Sequence, residues 1–429
     1  MKTALNAIAF KAQTHPKHRF QNMFGTLKPD VLYRAWATLN KQSAAGIDGV
    51  TAPQYETALS NNIHALADKL KTNRYRANAV KRVYIPKSNG KQRPLGLPTL
   101  EDKIVQQSVA DILQSIWEQD FLCSSYGYRP HKSAHQAVHS LQVNLQFKGY
   151  GYIVEADIKG FFDNMDHAWL MRMLRQRIDD ERLLTLINQW LKARIKEPDG
   201  TYHKPLSGTP QGGVISPVLA NIYLHYALDI WFEHRVKPTL QGRAMLIRYA
   251  DDFVVAFQYR NEAEHFYARL RSRLKKFKLD VAEDKTSIKR FSRFHPSQVR
   301  HFEFLGFQFY WDIDFKGEPR LRRKTAPKKH RAALKDFADW IKANRHKRLE
   351  RLIPMLNRKV VGFCNYFGLS GNSLSVGRIF DRILDSLYKW LNRRSQRRSF
   401  TWAGMKAMLR HFGLRSMRVR KPTVVVDWY

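Results

Sequence analysis

Cysteine is almost missing from this 429-residue chain: only Cys123 and Cys364 occur, far apart and outside any CxxC spacing. That excludes a disulfide framework and a zinc site of the usual ligand pattern, and it fits a reducing, cytoplasmic setting. Long apolar runs are missing as well. Residues 1–20 mix Lys, His, Gln and Pro with short apolar stretches, and no later stretch reaches about 18 uncharged apolar residues. The expectation is no signal peptide, no membrane span and no membrane partner. Acidic residues are scarce, 37 Asp plus Glu against 74 Lys plus Arg, for a formal charge of +37. Such an imbalance calls for a polyanionic partner, nucleic acid before an anionic membrane face. A hydrophobic fraction of 44% and an aromatic fraction of 12% exclude a disordered basic tail, which would lack the apolar area to offset chain entropy.

The charge is uneven. From Lys316 to the end there are 29 basic and 7 acidic residues, a net of +22 in 114 positions, so the C-terminal quarter is the electrostatic handle. Between about Ala4 and Leu70 the pattern is mostly helical, broken at Gly46-Ile47-Asp48-Gly49-Val50. Val83-Tyr84-Ile85-Pro86, the Asn89-Gly90 turn and Arg93-Pro94-Leu95-Gly96 read as a hairpin bearing Lys87, Lys91 and Arg93. Ile104, Val105, Val109, Ile112, Leu113, Ile116 and Trp117 have the spacing of an amphipathic helix over Leu100–Glu118. Tyr152–Ile158, Met245–Tyr249 and Phe253–Phe257 read as short buried strands, with helices at about His167–Ile178 and Ala220–Phe232. Glu318–His330 reads as a strongly basic loop, with a domain boundary near Arg320–Pro327, and helical periodicity resumes at Leu349, Leu352, Ile353, Leu356 and Val360. Trp340 and Trp390 fall inside helical patterns as core residues, and the His131–His139 cluster lacks a partner at metal spacing.

Two acidic sites stand out against this background. The apolar strand before Glu155 leads to Asp157, and 94 residues later Leu246-Ile247-Arg248-Tyr249 leads into Asp251-Asp252. Carboxylates gathered at the tip of an apolar hairpin repel one another and are costly to desolvate unless a doubly positive ion sits between them. Mg²⁺ does this with carboxylate oxygens plus substrate phosphates, and two such ions stabilise both the attacking and the leaving oxygen of a phosphoryl transfer. An exposed hairpin turn and a strand-end cap would account for the same letters.

Tyr249-Ala250-Asp251-Asp252 resembles the YxDD box of reverse transcriptases, and Asp157-Ile158-Lys159-Gly160-Phe161-Phe162-Asp163 resembles their first aspartate motif in the form found in group II intron-encoded proteins. Thr209-Pro210-Gln211-Gly212-Gly213-Val214-Ile215-Ser216-Pro217 is similar to the family's Gln-Gly nucleotide-pocket motif, Gly46-Ile47-Asp48-Gly49 to its N-terminal RT0 motif, and Phe304-Leu305-Gly306-Phe307 to its primer grip. The matches run in family order from about Gly46 to Phe307. The resemblance implies an α+β right-hand polymerase, with fingers, a palm built on an antiparallel sheet, and a helical thumb or X domain. It implies catalysis by Asp157, Asp251 and Asp252, and metal binding at Asp157, Ile158, Asp251 and Asp252 by two Mg²⁺ ions, with Mn²⁺ as a substitute. Nucleotide contacts are implied at Lys87 and Arg93 on the triphosphate, Phe162 against the sugar 2′ position, Gln211 near the nucleotide, and Lys285 as proton donor to pyrophosphate.

Leu349 to Phe367 resembles the thumb or X domain of intron maturases, with Arg351, Arg358 and Lys359 as expected RNA or DNA contacts there and Arg393 and Arg394 in the basic tail that follows. The implied division is an N-terminal extension over residues 1–75, fingers and palm over 76–315, thumb over 316–392 and a basic DNA-binding tail over 393–429. With no cysteine after Cys364, the Cys-rich nuclease domain of many relatives is not expected, and neither is target-strand cleavage. The expected partners are structured intron RNA, template-primer, a DNA target and dNTPs, and the expected activity is copying RNA into cDNA together with assistance to splicing and retrohoming. Two alternatives stay open: a free-standing domesticated reverse transcriptase in DNA repair or phage defence, and a non-polymerising RNA-binding maturase.

Overall fold

Several helix starts in this chain are capped by side chains. Thr99 accepts from the Asp102 N–H at the head of the helix Leu100–Trp117, Asp166 from Trp169 ahead of His167–Leu174, Asp180 from Leu183 ahead of Glu181–Leu191, and Thr401 from Gly404 ahead of Trp402–His411. The computed structural model describes residues 2–86, 90, 92–283, 286–396, 399–417 and 419. They form two compact units, one of residues 1–137, 156–257 and 261–287, the other of residues 138–155, 258–260 and 288–429.

The first unit is built around the helix Leu100–Trp117. Thirteen of its eighteen residues are buried, among them Asp102, Lys103, Gln106 and Ser108, because the helices Lys2–Thr14, Pro29–Thr38 and Ser216–Leu224 pack around it. The expected one-sided amphipathic helix is thus a central one, and its polar residues are answered inside. Asp102 accepts from the Tyr75 hydroxyl, from Thr99 Oγ1 at 2.8 Å and from the Asn78 N–H at 3.2 Å. Lys103 donates to the Ala44 carbonyl at 2.7 Å, which clamps the loop before Gly46 against the helix start. There a Cβ on Gly46 would lie 2.6 Å from Thr99 Cα, so the position admits only glycine.

The hairpin read from the sequence is present. Val80–Pro86 and Gln92–Leu97 pair antiparallel with Tyr84 opposite Pro94, and Ile195–Lys196 and Tyr202–His203 extend that sheet. A second hairpin joins Ala244–Tyr249 to Asp252–Phe257 and is buried on both faces, Leu246, Phe253 and Val255 on one and Ile247 and Val254 on the other. The expected helix Ala220–Phe232 starts earlier, at Ser216, and widens into π-helical turns over His225–Asp229 and Phe232–Val236.

The second unit pairs a sheet with helices. His301–Phe304, Phe307–Ile313 and Pro319–Thr325 form an antiparallel meander whose inner face stacks Phe302 on Phe309 at 5.0 Å. The basic loop expected over Glu318–His330 is instead the strand Pro319–Thr325 followed directly by the helix Pro327–Asn344. The alternation was masked because both faces carry cations. Arg323 points inward and donates to the Ser370 carbonyl at 3.2 Å, whereas Arg322 faces out to Asp312 at 2.8 Å. The helices Pro327–Asn344, Leu349–Phe367, Ser373–Leu391 and Trp402–His411 close over Leu352, Ile353, Leu356, Ile379, Ile383 and Leu387. Trp340 and Trp390 lie partly buried against this core. No helix among the described residues is long and apolar enough to cross a membrane.

Candidate active site

Asp157 follows the strand Tyr152–Ala156. Its backbone is tied down on the far side: the Ala282 N–H donates to the Asp157 carbonyl at 2.8 Å, the Lys159 N–H to the Asp280 carbonyl at 2.8 Å, and Ile158 bridges Val281. Gly160 then takes a left-handed φ of 55° and starts the short helix Phe161–Asn164, which directs Phe162 and Asp163 onward.

Asp251 occupies the tip of the second hairpin. Tyr249 pairs with Asp252, so Ala250 and Asp251 are the two turn residues, and Ala250 adopts φ 56° where such turns usually take glycine. Gly127 lies flat against this turn. A Cβ there would sit 2.3 Å from the Ala250 nitrogen, and the Gly127 carbonyl accepts from Asn221 Nδ2 at 2.7 Å.

Asp251 is half-buried, and its carboxyl is raised above the ordinary range, first by burial and then by the negative charge of Asp157. Arg93 and Arg248 oppose that rise. Burial together with the Asp251 charge also raises the Tyr128 hydroxyl. Asp252 heads its strand and is exposed. Among the described residues no three His, Cys, Asp or Glu side chains gather at metal-holding separation. The donor chemistry nonetheless fits a hard divalent cation: Asp157 and Asp251 are both oxygen-donor carboxylates, the charge of Asp157 reaches Asp251, and a positive ion between them would offset the desolvation and repulsion that Asp251 bears.

The expected nucleotide contacts form a linked chain in this same unit. Arg93 Nε donates to Gln211 Oε1 at 2.8 Å, and Gln211 Nε2 reaches Asp163 Oδ2 at 3.4 Å. The Gly96 N–H donates to the Gln211 carbonyl at 2.7 Å, and a Cβ on Gly212 would lie 2.7 Å from the Gly96 carbonyl oxygen, so the loop and the strand Gln92–Leu97 touch backbone to backbone. The Thr209 N–H donates to the Phe162 carbonyl at 2.8 Å, while Gln106 Oε1 accepts from the Val214 N–H at 3.0 Å. Phe162 is buried, edge-on to Phe161 at 5.3 Å and to Tyr128 at 6.5 Å. Lys87 and Lys285 lie outside the described residues.

The expected nucleic-acid contacts belong to the second unit. Arg351 and Arg358 are exposed on the helix Leu349–Phe367. Lys359 is different: it pairs with Asp336 at 2.5 Å and lies over the Phe337 ring, so its charge is already answered within the fold. Arg393 stands 5.8 Å from the Trp390 ring, and Arg394 donates to the Lys347 carbonyl at 2.9 Å.

The residues missed from sequence are the ones that hold others: Asp163 on Gln211, Tyr128 beside Phe162, Gly127 under the turn, and Arg248. For Arg248 a signal existed, since an arginine inside the apolar run Leu246-Ile247-Arg248-Tyr249 demands a buried acid, and Asp229 supplies it.

Residues 85–309 match the family model for reverse transcriptase (RNA-dependent DNA polymerase), and residues 328–408 match the group II intron maturase-specific domain. The group II intron-encoded protein LtrA of Lactococcus lactis subsp. cremoris is 30% identical over 435 residues, covering 81% of this chain and 70% of the relative. Protein YkfC of Escherichia coli (strain K12) is 33% identical over 350 residues, covering 73% of this chain and 89% of the relative. An uncharacterized 91 kDa protein in the cob intron of Schizosaccharomyces pombe is 37% identical over 172 residues, covering 40% of this chain and 21% of that one. With a right-hand polymerase domain followed by a maturase domain, the chain belongs to the group II intron-encoded reverse transcriptases.

Proposed function

We propose that this RNA-directed DNA polymerase works through Asp157 and Asp251 as the principal carboxylates, with Asp252 in the second carboxylate position and Ile158 offering its backbone carbonyl. Together they would hold Mg²⁺ ions. When bound, such ions supply Lewis-acid stabilisation to the primer 3′-oxygen and to the departing pyrophosphate. The rest of the work falls to the chain itself. Arg93, with Lys87, neutralises the incoming triphosphate, and the Gln211 side chain held between Arg93 and Asp163 shapes the nucleotide floor. Phe162, fixed between Phe161 and Tyr128, blocks a ribose 2′-hydroxyl and so favours dNTPs. Lys285 donates a proton to the leaving pyrophosphate.

The maturase half takes structured intron RNA on a basic surface that includes Arg351, Arg358, Arg393 and Arg394, and residues 393–429 add DNA contacts for a target primed from elsewhere, such as a replication fork. The division at residues 75, 315 and 392, and a cytoplasmic location, belong to the same reading. Its main support is that Asp157, 94 residues away in sequence, stands close enough for its charge to act on Asp251, in the same unit as the Arg93–Gln211–Asp163 chain.

Asp251→Asn and Asp157→Asn tests it on a primed RNA template with Mg²⁺. The expected outcome is a loss of cDNA synthesis of roughly 1,000-fold or more with RNA binding preserved. Synthesis near the wild-type rate in either variant would overturn the assignment. Sequencing the RNA recovered with the protein from its native cells identifies the intron partner.

A further inference from the structure

Arg248 is a charge with no access to water: its relative exposure is 0%, and so is that of its partner Asp229. Burying such a pair is not a general route to stability, because well-packed apolar residues of similar volume do as well or better. What the guanidinium does here is visible in where its five N–H groups go. Nε donates to Asp229 Oδ1 at 2.8 Å and Nη2 to Asp229 Oδ2 at 2.6 Å, a bidentate fork. Nη2 also donates to Ser125 Oγ at 2.8 Å. Nη1 donates to Asn221 Oδ1 at 3.0 Å and to the Ala250 carbonyl at 2.9 Å. All five are used, and the last one reaches the turn that presents Asp251.

That turn needs holding. Ala250 has φ 56°, a left-handed conformation that disfavours a residue with a Cβ, and glycine would adopt it freely. The chain keeps alanine and surrounds it with constraints instead. Gly127 presses backbone against backbone on one side, Arg248 bonds the Ala250 carbonyl from beneath, and Asn221 joins the two by donating to the Gly127 carbonyl while accepting from Arg248. Asp229, which anchors the guanidinium, sits in the π-helical turn His225–Asp229, a local departure from α geometry of a kind found often at functional sites.

We infer that Arg248 is the positioning residue of the catalytic turn: through the Ala250 carbonyl it holds the left-handed conformation that sets where the Asp251 carboxylate stands. The inference rests on Asp251 being a catalytic carboxylate. Lysine cannot replace the fork, because one ammonium has three donors radiating from a point and cannot reach Asp229, Asn221 and Ala250 in one plane.

The test compares two buried arginines of the same unit. Arg248→Lys is set beside Arg177→Lys, a control in which Arg177, 3% exposed, loses its 2.9 Å pairing with Asp120 far from the turn in sequence and with no bond to it. Steady-state primer extension, thermal unfolding and hydrogen exchange of the peptide spanning Tyr249–Asp252 are measured on the full chain. The expected result for Arg248→Lys is a kcat at least tenfold lower, KM for dNTP within about threefold of wild type, and faster exchange in the turn peptide. Arg177→Lys is expected to lower the melting temperature while kcat per folded molecule stays within about twofold. Should Arg248→Lys not fold, Asn221→Ser loosens the same guanidinium and is expected to lower kcat at least threefold with faster turn exchange. A folded Arg248→Lys, or in its place Asn221→Ser, with kcat within about twofold of wild type would overturn the inference, as would kcat losses that merely track melting temperature in both arginine variants. If Asp251→Asn is inactive in the same assay, such a result sinks only the role of Arg248. If Asp251→Asn is active, the reading beneath it fails.

Discussion

The two units bury different things. The first unit buries charge and answers it: Arg248 against Asp229, Arg177 against Asp120, Lys103 against Ser43 and the Ala44 carbonyl, Asp102 among Tyr75, Thr99 and Asn78. The helical core of the second unit is apolar, with Phe337, Ile341, Leu352, Ile353, Leu356, Ile379, Ile383 and Leu387 inside and most cations, Arg351 and Arg358 among them, on the outside. The contrast separates two jobs. Buried, paired polar groups are expensive but directional, so they hold a backbone where chemistry needs it. Apolar packing is non-directional and supplies stability, leaving the surface available for a phosphate backbone.

The contrast is broken most severely in the apolar core. Ile383→Ala is expected to destabilise the second unit by about 2–5 kcal/mol, from lost transfer energy plus the cavity left behind, as read by denaturant unfolding. An effect below roughly 1 kcal/mol would mean that this core collapses around the gap and is softer than its burial implies.

A smaller effect sharpens the first unit's side. His225 is buried against Phe121 with its Nδ1 unpartnered, and burial pushes its pKa down to about 4 from 6.5. The unfolded chain therefore takes up a proton there before the folded one does. The resulting stability is present above pH 6.5 and is lost as pH falls toward about 4, at most roughly 3 kcal/mol for this group. Asp120 works in the opposite sense, since burial raises it to about 6, and its contribution is lost as pH rises through that value. Subtracting the stability–pH profile of His225→Gln from that of wild type isolates the histidine. The expected difference appears between pH 6.5 and 4 with the variant less acid-sensitive, and parallel profiles would refute it.

The smallest effect lies on the basic surface. Arg351→Ala with Arg358→Ala is expected to leave stability within about 0.5 kcal/mol and to lower the slope of log affinity for intron RNA against log salt by about 1–2. An unchanged salt slope would place the RNA elsewhere on the chain.

Most of the candidate site was legible as letters. Asp157, Phe162, Gln211, Asp251 and the cation Arg93 sit in strings whose order along the chain matches one family, and the hairpins carrying them announce themselves through short β-branched and aromatic runs bounded by turn residues. What escaped was support. Arg322 on one face and Arg323 on the other hid a strand, because alternation by burial is invisible when both faces carry the same charge, and the pairing of Lys359 with Asp336 at 2.5 Å has no signature in the sequence. Leu100–Trp117 looked one-sided because Asp102, Lys103 and Gln106 are polar, although each finds its partner inside.

By itself, then, the order of residues determined most of the elements, the candidate carboxylates and a polyanionic partner, because periodicity, turn preference and net charge are local or additive properties of a chain. Only the tertiary structure decided which polar groups face one another. That Arg248 bonds Ser125, that Gln211 spans Arg93 and Asp163, and that Gly127 leaves room for the turn are contacts between segments far apart in sequence. Hydrogen bonds and backbone clearances act over a few ångströms, and no local property of the chain encodes such distances.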